Sequence, residues 1–192
     1  MFDLKNLIFS NLSVISCMVP DHKSLVRKLL NDLSKFSNQL KYSHNINGRW
    51  ENGYLPIDLV PDVKIPMKFA RDIAMQEWNI RTVAQFKSLS RDSDALPPFW
   101  FNIMCNGHRT GIHDHAKIAS VSGVFYLQCQ PDSGDLFFRK EGEKDLHFQP
   151  EVGKMILFPS NLKHGVLENK SSTKRISLAF NLFSFPINYT EW

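Results

Sequence analysis

The sequence predicts a mainly β domain with its helices gathered toward the N-terminus. Three observations predict it. From Phe99 onward short apolar runs recur between Gly, Pro and Asn, the pattern of an antiparallel sandwich or barrel. Before Pro97-Pro98, two segments carry the i, i+3, i+4 spacing of amphipathic helices. The chain has 192 residues, enough for one good core and short for two.

The first stretch, MFDLKNLIFSNLSVISCMV, is apolar but contains Asp3 and Lys5 and has no basic leader region. It reads as a first strand rather than a signal peptide. Pro20 and Asp21 open a helix with Leu25, Val26, Leu29, Leu30, Leu33, Phe36 and Leu40 on one side. Residues 41–62 are polar, hold two Gly and two Pro, and read as an irregular loop. A second helix is expected from about Pro66, with Phe69, Ala70, Ile73, Ala74 and Trp78 on one side, running with a break to Phe86. SLSRDSDALPP is a loop. The strands are then FWFNIMC, IASVSGVFYLQCQ, GDLFFR, DLHFQP, GKMILFP, HGVLEN and KRISLAFNLFSF. Helices alone could not bury their apolar faces, so 1–98 and the β core at 99–185 are expected to form one domain over 1–192.

Composition narrows the function. Fifteen Phe and four Trp suggest an aromatic core facing across sheets. The net charge is +4, but Lys and Arg are scattered with no basic block, so no nucleic-acid partner is expected. The excess leans toward an anionic ligand. Three cysteines without a CxxC pair argue against a disulfide framework and for a reducing, cytoplasmic setting. No run reaches the roughly 18 apolar residues of a membrane span.

Three places carry chemistry. His113 and His115 are two apart on an expected strand, which points both imidazoles to one face and Asp114 to the other. Imidazole is the commonest transition-metal ligand, and a third could come from His164, which follows the turn after GKMILFP. In KRISLAFN, Arg175, Ser177, Ala179 and Asn181 share one face, and both faces of this strand are expected to be covered. A buried arginine needs an anion, no acidic residue nearby is an obvious partner, and a bound carboxylate would serve.

In that order, His113-Asp114-His115, His164 and Arg175-Ile176-Ser177 resemble the Fe(II)/2-oxoglutarate-dependent oxygenases, including a bacterial and phage branch with this HxH…H…RxS arrangement. The resemblance covers residues 99–183 and implies a double-stranded β-helix core of the jelly-roll or cupin type. It implies a metal site at His113, His115 and His164, with Fe(II), 2-oxoglutarate and O2 as cofactor and cosubstrates. Arg175 would bind the far carboxylate of 2-oxoglutarate, assisted by Ser177 and Tyr126, with Asn102 also at the cosubstrate. The implied reaction hydroxylates a C–H bond and releases succinate and CO2. Loop 41–62, with Trp50 and Tyr54, is a candidate lid over the substrate, and Asn181 a candidate pocket residue. His108 and His147 read as surface residues. One position departs: most of the family has Asp or Glu where this chain has His115. Asp114 could take that place only if a local bulge turned it inward.

Two other classes fit less. A cupin metal enzyme would also use three histidines, but usually has a glutamate soon after His-x-His, absent here from Ala116 to Val121, and has no role for Arg175. A non-catalytic β-sandwich binding domain leaves the ordered motifs unexplained. The substrate, whether a small molecule, peptide or protein, is not legible, nor is the oligomeric state.

Overall fold

The computed structural model describes residues 4–46, 49–88, 95–117 and 119–186, with the side chains of 44–46, 49 and 50 outside that description. In chain order it has strands β1 (Leu4–Phe9) and β2 (Leu12–Met18), helix α1 (His22–Lys35), strands β3 (Lys41–Ile46) and β4 (Arg49–Tyr54), and helix α2 (Lys64–Trp78). Strands β5 (Thr82–Val83), β6 (Phe99–Met104), β7 (Thr110–His113), β8 (Val121–Gln128) and β9 (Leu136–Phe138) follow. The chain continues through β10 (Leu146–Phe148), β11 (Lys154–Pro159), β12 (His164–Val166) and β13 (Arg175–Ser184).

The strands form two antiparallel sheets. The main sheet runs β1-β2-β11-β8-β13-β6-β4-β3, with β5 on the end of β13, and the smaller runs β10-β9-β12-β7. Period-two alternation divides the core between two layers. Phe125 and Leu127 of β8 and Ile176, Leu178 and Phe180 of β13 face α1 and α2, meeting Leu25, Leu29, Met67 and Ile73. Tyr126, Ile156 and Phe158 point the other way, into the space between sheets, against Leu136, Phe138 and Phe148. Gly123 is required on the helix face: a Cβ there would fall within 3 Å of the Phe180 ring and of Leu157. Gly123→Ala is therefore expected to destabilise the fold by about 1–3 kcal/mol, an overpacking cost readable by denaturant titration.

Three expectations are corrected. The first apolar stretch is a hairpin, not one strand: Ser10 and Asn11 have φ of 53° and 62°, the left-handed pair of a two-residue turn. Helix α2 stops at Trp78 because Asn79 turns left-handed, and Asn79 and Ile80 donate their N–H groups back to Met75 and Ala74. The Trp78 indole then donates to Ser13 on β2, fastening the helix end to the sheet. Residues 41–46 and 49–54 are no loop but the antiparallel strands β3 and β4, added to the edge of the main sheet through Asn52↔Asn102 and Gly53↔Phe101. No helix among the described residues is long and apolar enough to cross a membrane.

Candidate active site

Between the sheets lies a cavity of about 660 Å³. His113, His115 and His164 meet on its wall, their ligand nitrogens all within 4.8 Å of one another. The ring centroids are 4.4 Å apart for His113–His164, 5.0 Å for His113–His115 and 5.3 Å for His115–His164.

Each ring is positioned by a different device. His164 opens β12 and lies directly opposite His113 on β7. Nδ1 of each faces the carbonyl two residues earlier, Leu162 at 2.8 Å and Gly111 at 2.9 Å. With Nδ1–H donated to a carbonyl, Nε2 carries the lone pair a metal takes. His164 is 5% exposed and packs edge-on to Phe158 at 4.6 Å. Burial, reinforced by the neighbouring His113, pushes its pKa down to about 3, so it is neutral and ready to ligate. The unfolded chain protonates this histidine near pH 6.5, whereas the folded one resists until far lower pH. The folded state therefore loses stability as pH falls below about 6.5 toward 3. Metal-free thermal unfolding at descending pH should show this loss, and His164→Gln should flatten it.

His115 corrects the sequence reading. Strand β7 ends at His113, and β8 does not begin until Val121, in the other sheet. His115 therefore sits in the crossing loop and not on a strand. Its backbone N–H donates to Ser160 at 2.8 Å, and its carbonyl accepts from Ala119 at 3.0 Å. The Ser160 backbone N–H donates to the Ser120 carbonyl and its hydroxyl to that of Ala119, so Ser160 folds the loop back and aims His115 at the cavity. Asp114 is exposed and accepts from the Ala116 N–H at 3.1 Å. It stays out of the cluster because of this turn, not because of strand alternation.

At the far end of the cavity stands Arg175, 1% exposed. Its Nη1 lies 3.4 Å from Met104 Sδ and from Ser177 Oγ, and its guanidinium lies 5.0 Å from the Tyr126 ring centroid. Its Nε and Nη2 have no partner, and neither does the Tyr126 hydroxyl. Burial pushes the Tyr126 phenol upward, against the opposing charge of Arg175, which keeps it a donor. Among the described residues no carboxylate pairs with Arg175. Two guanidinium nitrogens buried beside the cavity without an acceptor suit a carboxylate in charge and shape.

Other residues gather here as expected. Ser177 and Asn181 line the cavity on the face shared with Arg175. Asn102 lines it too, donating from Nδ2 to Asn52 at 3.4 Å and leaving Oδ1 unpartnered. Tyr54 lines it from β4, so it belongs to the wall and not to a lid. Trp50 lies on β4 with its side chain outside the described residues. His108 accepts the Cys105 N–H at Nδ1 in a loop, and His147 stacks on Phe137 in the smaller sheet, both away from the cluster.

Two residues escaped sequence reasoning, Ser160 and Thr110. The β7–β12 register pairs His113 with His164 and Thr110 with Val166, so Gly111 and Ile112 on one strand answer the single Gly165 on the other. This bulge brings Thr110 and His113 to one face and leaves the Thr110 hydroxyl buried, in the cavity, without a partner.

Comparison with known proteins bears on the fold and on the motif resemblance. A family model described as "Putative 2OG-Fe(II) oxygenase" matches residues 139–181, the segment holding His164, Arg175 and Ser177. A Pseudomonas putida prolyl-4-hydroxylase superposes with a TM-score of 0.63 at 17% identity, over 89% of this chain and 92% of that one. A prolyl hydroxylase from Trichoplax adhaerens, solved with a hypoxia inducible factor peptide, gives 0.65 at 13% identity, over 88% and 83%. The epimerase SnoN of nogalamycin biosynthesis, solved with Fe3+ and alpha ketoglutarate, gives 0.63 at 11% identity, over 88% and 78%. No curated protein matches the chain in sequence. The fold is the jelly roll of these oxygenases, and the resemblance to the 2OG-Fe(II) oxygenases read from the motifs holds in family model and fold.

Proposed function

We propose that this protein is an Fe(II)- and 2-oxoglutarate-dependent dioxygenase that hydroxylates its substrate. The observation that carries the reading is Arg175, whose Nε and Nη2 are buried and unpartnered in the same cavity as three converging imidazoles, with the Tyr126 ring packed against its guanidinium. A keto-acid carboxylate fits these donors in charge and shape, and a divalent iron fits three neutral nitrogen ligands.

In this reading His113, His115 and His164 hold the metal. Arg175 grips the far carboxylate of 2-oxoglutarate, with Tyr126, Ser177 and the newly placed Thr110 donating to it. Asn102 stands on the strand beside Ser177 and orients the cosubstrate from its flank. Iron, 2-oxoglutarate and O2 supply the oxidation of a C–H bond, with succinate and CO2 released. The protein supplies position and exclusion of water, so neither a nucleophile nor a paired general acid and base is needed. Three neutral imidazoles leave the site one charge more positive than two imidazoles and a carboxylate would. The fold also carries an epimerase and a carbocyclase; hydroxylation is proposed here as the outcome.

The reading is tested by incubating the protein with Fe(II), ascorbate and 2-oxoglutarate in air. Slow, iron-dependent formation of succinate is expected even without substrate, and its absence from freshly reconstituted protein contradicts the proposal.

A further inference from the structure

Beyond the histidines the cavity has a second region, and strand pairing sets out its floor in rows across the main sheet. Asn52, Asn102 and Ser177 form the first row, next to Arg175, with Tyr126 paired to Ser177 beyond the cavity lining. Trp100, Ala179 and Val124 form the second, with Tyr54 beside Trp100 at a centroid distance of 6.2 Å. Asn181 and Ser122 form the third, joined by a 2.8 Å hydrogen bond. Neighbouring rows are two residues, about 6.6 Å, apart.

The middle row lies against the metal ligands, because Trp100 meets His115 edge-on at 5.8 Å. It is apolar, and Ala179 leaves open floor between Trp100 and Val124. The third row is polar but uncharged. The charged residues along the cavity lie elsewhere. Arg175 is at the opposite end, and Asp114 is turned out to the Ala116 N–H. Glu51, buried, also lines the cavity, but it lies on β4 one residue beyond Asn52, away from the middle and third rows. Among the described lining residues no Lys is present and Arg175 is the one Arg, so the chain's net charge of +4 does not reach this floor.

We propose that Trp100, Tyr54 and Ala179, with Asn181 and Ser122, form the substrate subsite, and that it takes an uncharged group with an apolar face and neutral hydrogen-bonding substituents. The inference rests on the oxygenase reading, since it takes the far end of the cavity as occupied by 2-oxoglutarate. A ring face or aliphatic face packs on Trp100 and the open floor, while the amide of Asn181 can both donate and accept. An anion here would lose its water and gain no cation. A cation would meet aromatic faces, but also the positive field of a divalent metal held by neutral ligands. The anionic preference suggested by net charge therefore does not extend to this subsite.

The test is ligand-observed NMR on Zn(II)-loaded protein saturated with 2-oxoglutarate. Three probe sets of equal size are compared: neutral cyclic amides and methyl pyranosides, cyclic carboxylates, and cyclic amines. Neutral probes should receive saturation from the protein and bind about tenfold more weakly to Trp100→Ala. Amides and pyranosides within the neutral set separate the two sources of such chemistry, and binding by either supports the proposal. Charged probes whose binding depends on Trp100, or neutral probes indifferent to it, overturn it. Should Trp100→Ala fail to fold, Ala179→Leu fills the floor and should exclude the neutral probes while preserving stabilisation by 2-oxoglutarate. A wild-type protein not stabilised by 2-oxoglutarate at all contradicts the oxygenase reading instead, whatever the probes do.

Discussion

Arg175→Met is expected to abolish stabilisation by 2-oxoglutarate while leaving the ligand-free protein at least as stable as the parent. In the free protein the guanidinium is buried with two nitrogens unpartnered. A buried charge without its partner is a burden on the fold, and an apolar side chain of similar length removes it, a change that is neutral or stabilising by about 1–4 kcal/mol. With ligand the balance reverses. Two charge-assisted hydrogen bonds to a carboxylate are lost together, and keto-acid affinity should fall by at least about 100-fold. Thermal unfolding with and without 2-oxoglutarate reads both effects. A variant that is much less stable alone, yet still stabilised by the keto acid, would show that Arg175 serves the core and not a ligand.

The second large effect concerns His115, the position where the motif resemblance leads one to expect a carboxylate. His115→Ala should weaken divalent-metal binding by about 100-fold or more, because one of three ligands is removed, whereas loss of a mere supporting contact costs 10–100-fold. Asp114→Ala should leave affinity unchanged, since the carboxylate is engaged by the Ala116 N–H outside the cluster. Competition with a chromogenic chelator, using Co(II) or Zn(II), measures both. The reverse pattern would mean that the loop rearranges on metal binding and that Asp114 completes the site.

Much of the site was legible because chain order and side-chain type survive without knowing how the strands pair. His113, His115, His164 and Arg175 were found that way, and the alternation of Arg175, Ser177, Ala179 and Asn181 correctly assigned one face of β13 to the cavity. The rest was hidden for three physical reasons. β4 lines a cavity with Asn52 and Tyr54, so it lacks the apolar stripe that marks a strand packed on a core, and it read as a loop. The bulge in β7 shifts the face on which Thr110 lies, and only the observed register with β12 reveals it. His115 reached the expected place by an unexpected route, since the loop pinned by Ser160 brings it in where strand alternation was invoked. A side chain can thus reach the expected cavity by a local geometry other than the expected one.

The central claim is that one enclosure holds a metal at three histidines and a keto acid at Arg175. Anaerobic addition of Fe(II) and then 2-oxoglutarate tests it most directly, by absorption spectroscopy in the visible. The account predicts a charge-transfer band that requires both additions, is lost in His164→Ala, and in Arg175→Met appears only at far higher 2-oxoglutarate. A protein that binds Fe(II) yet shows no band at any concentration of 2-oxoglutarate would contradict it.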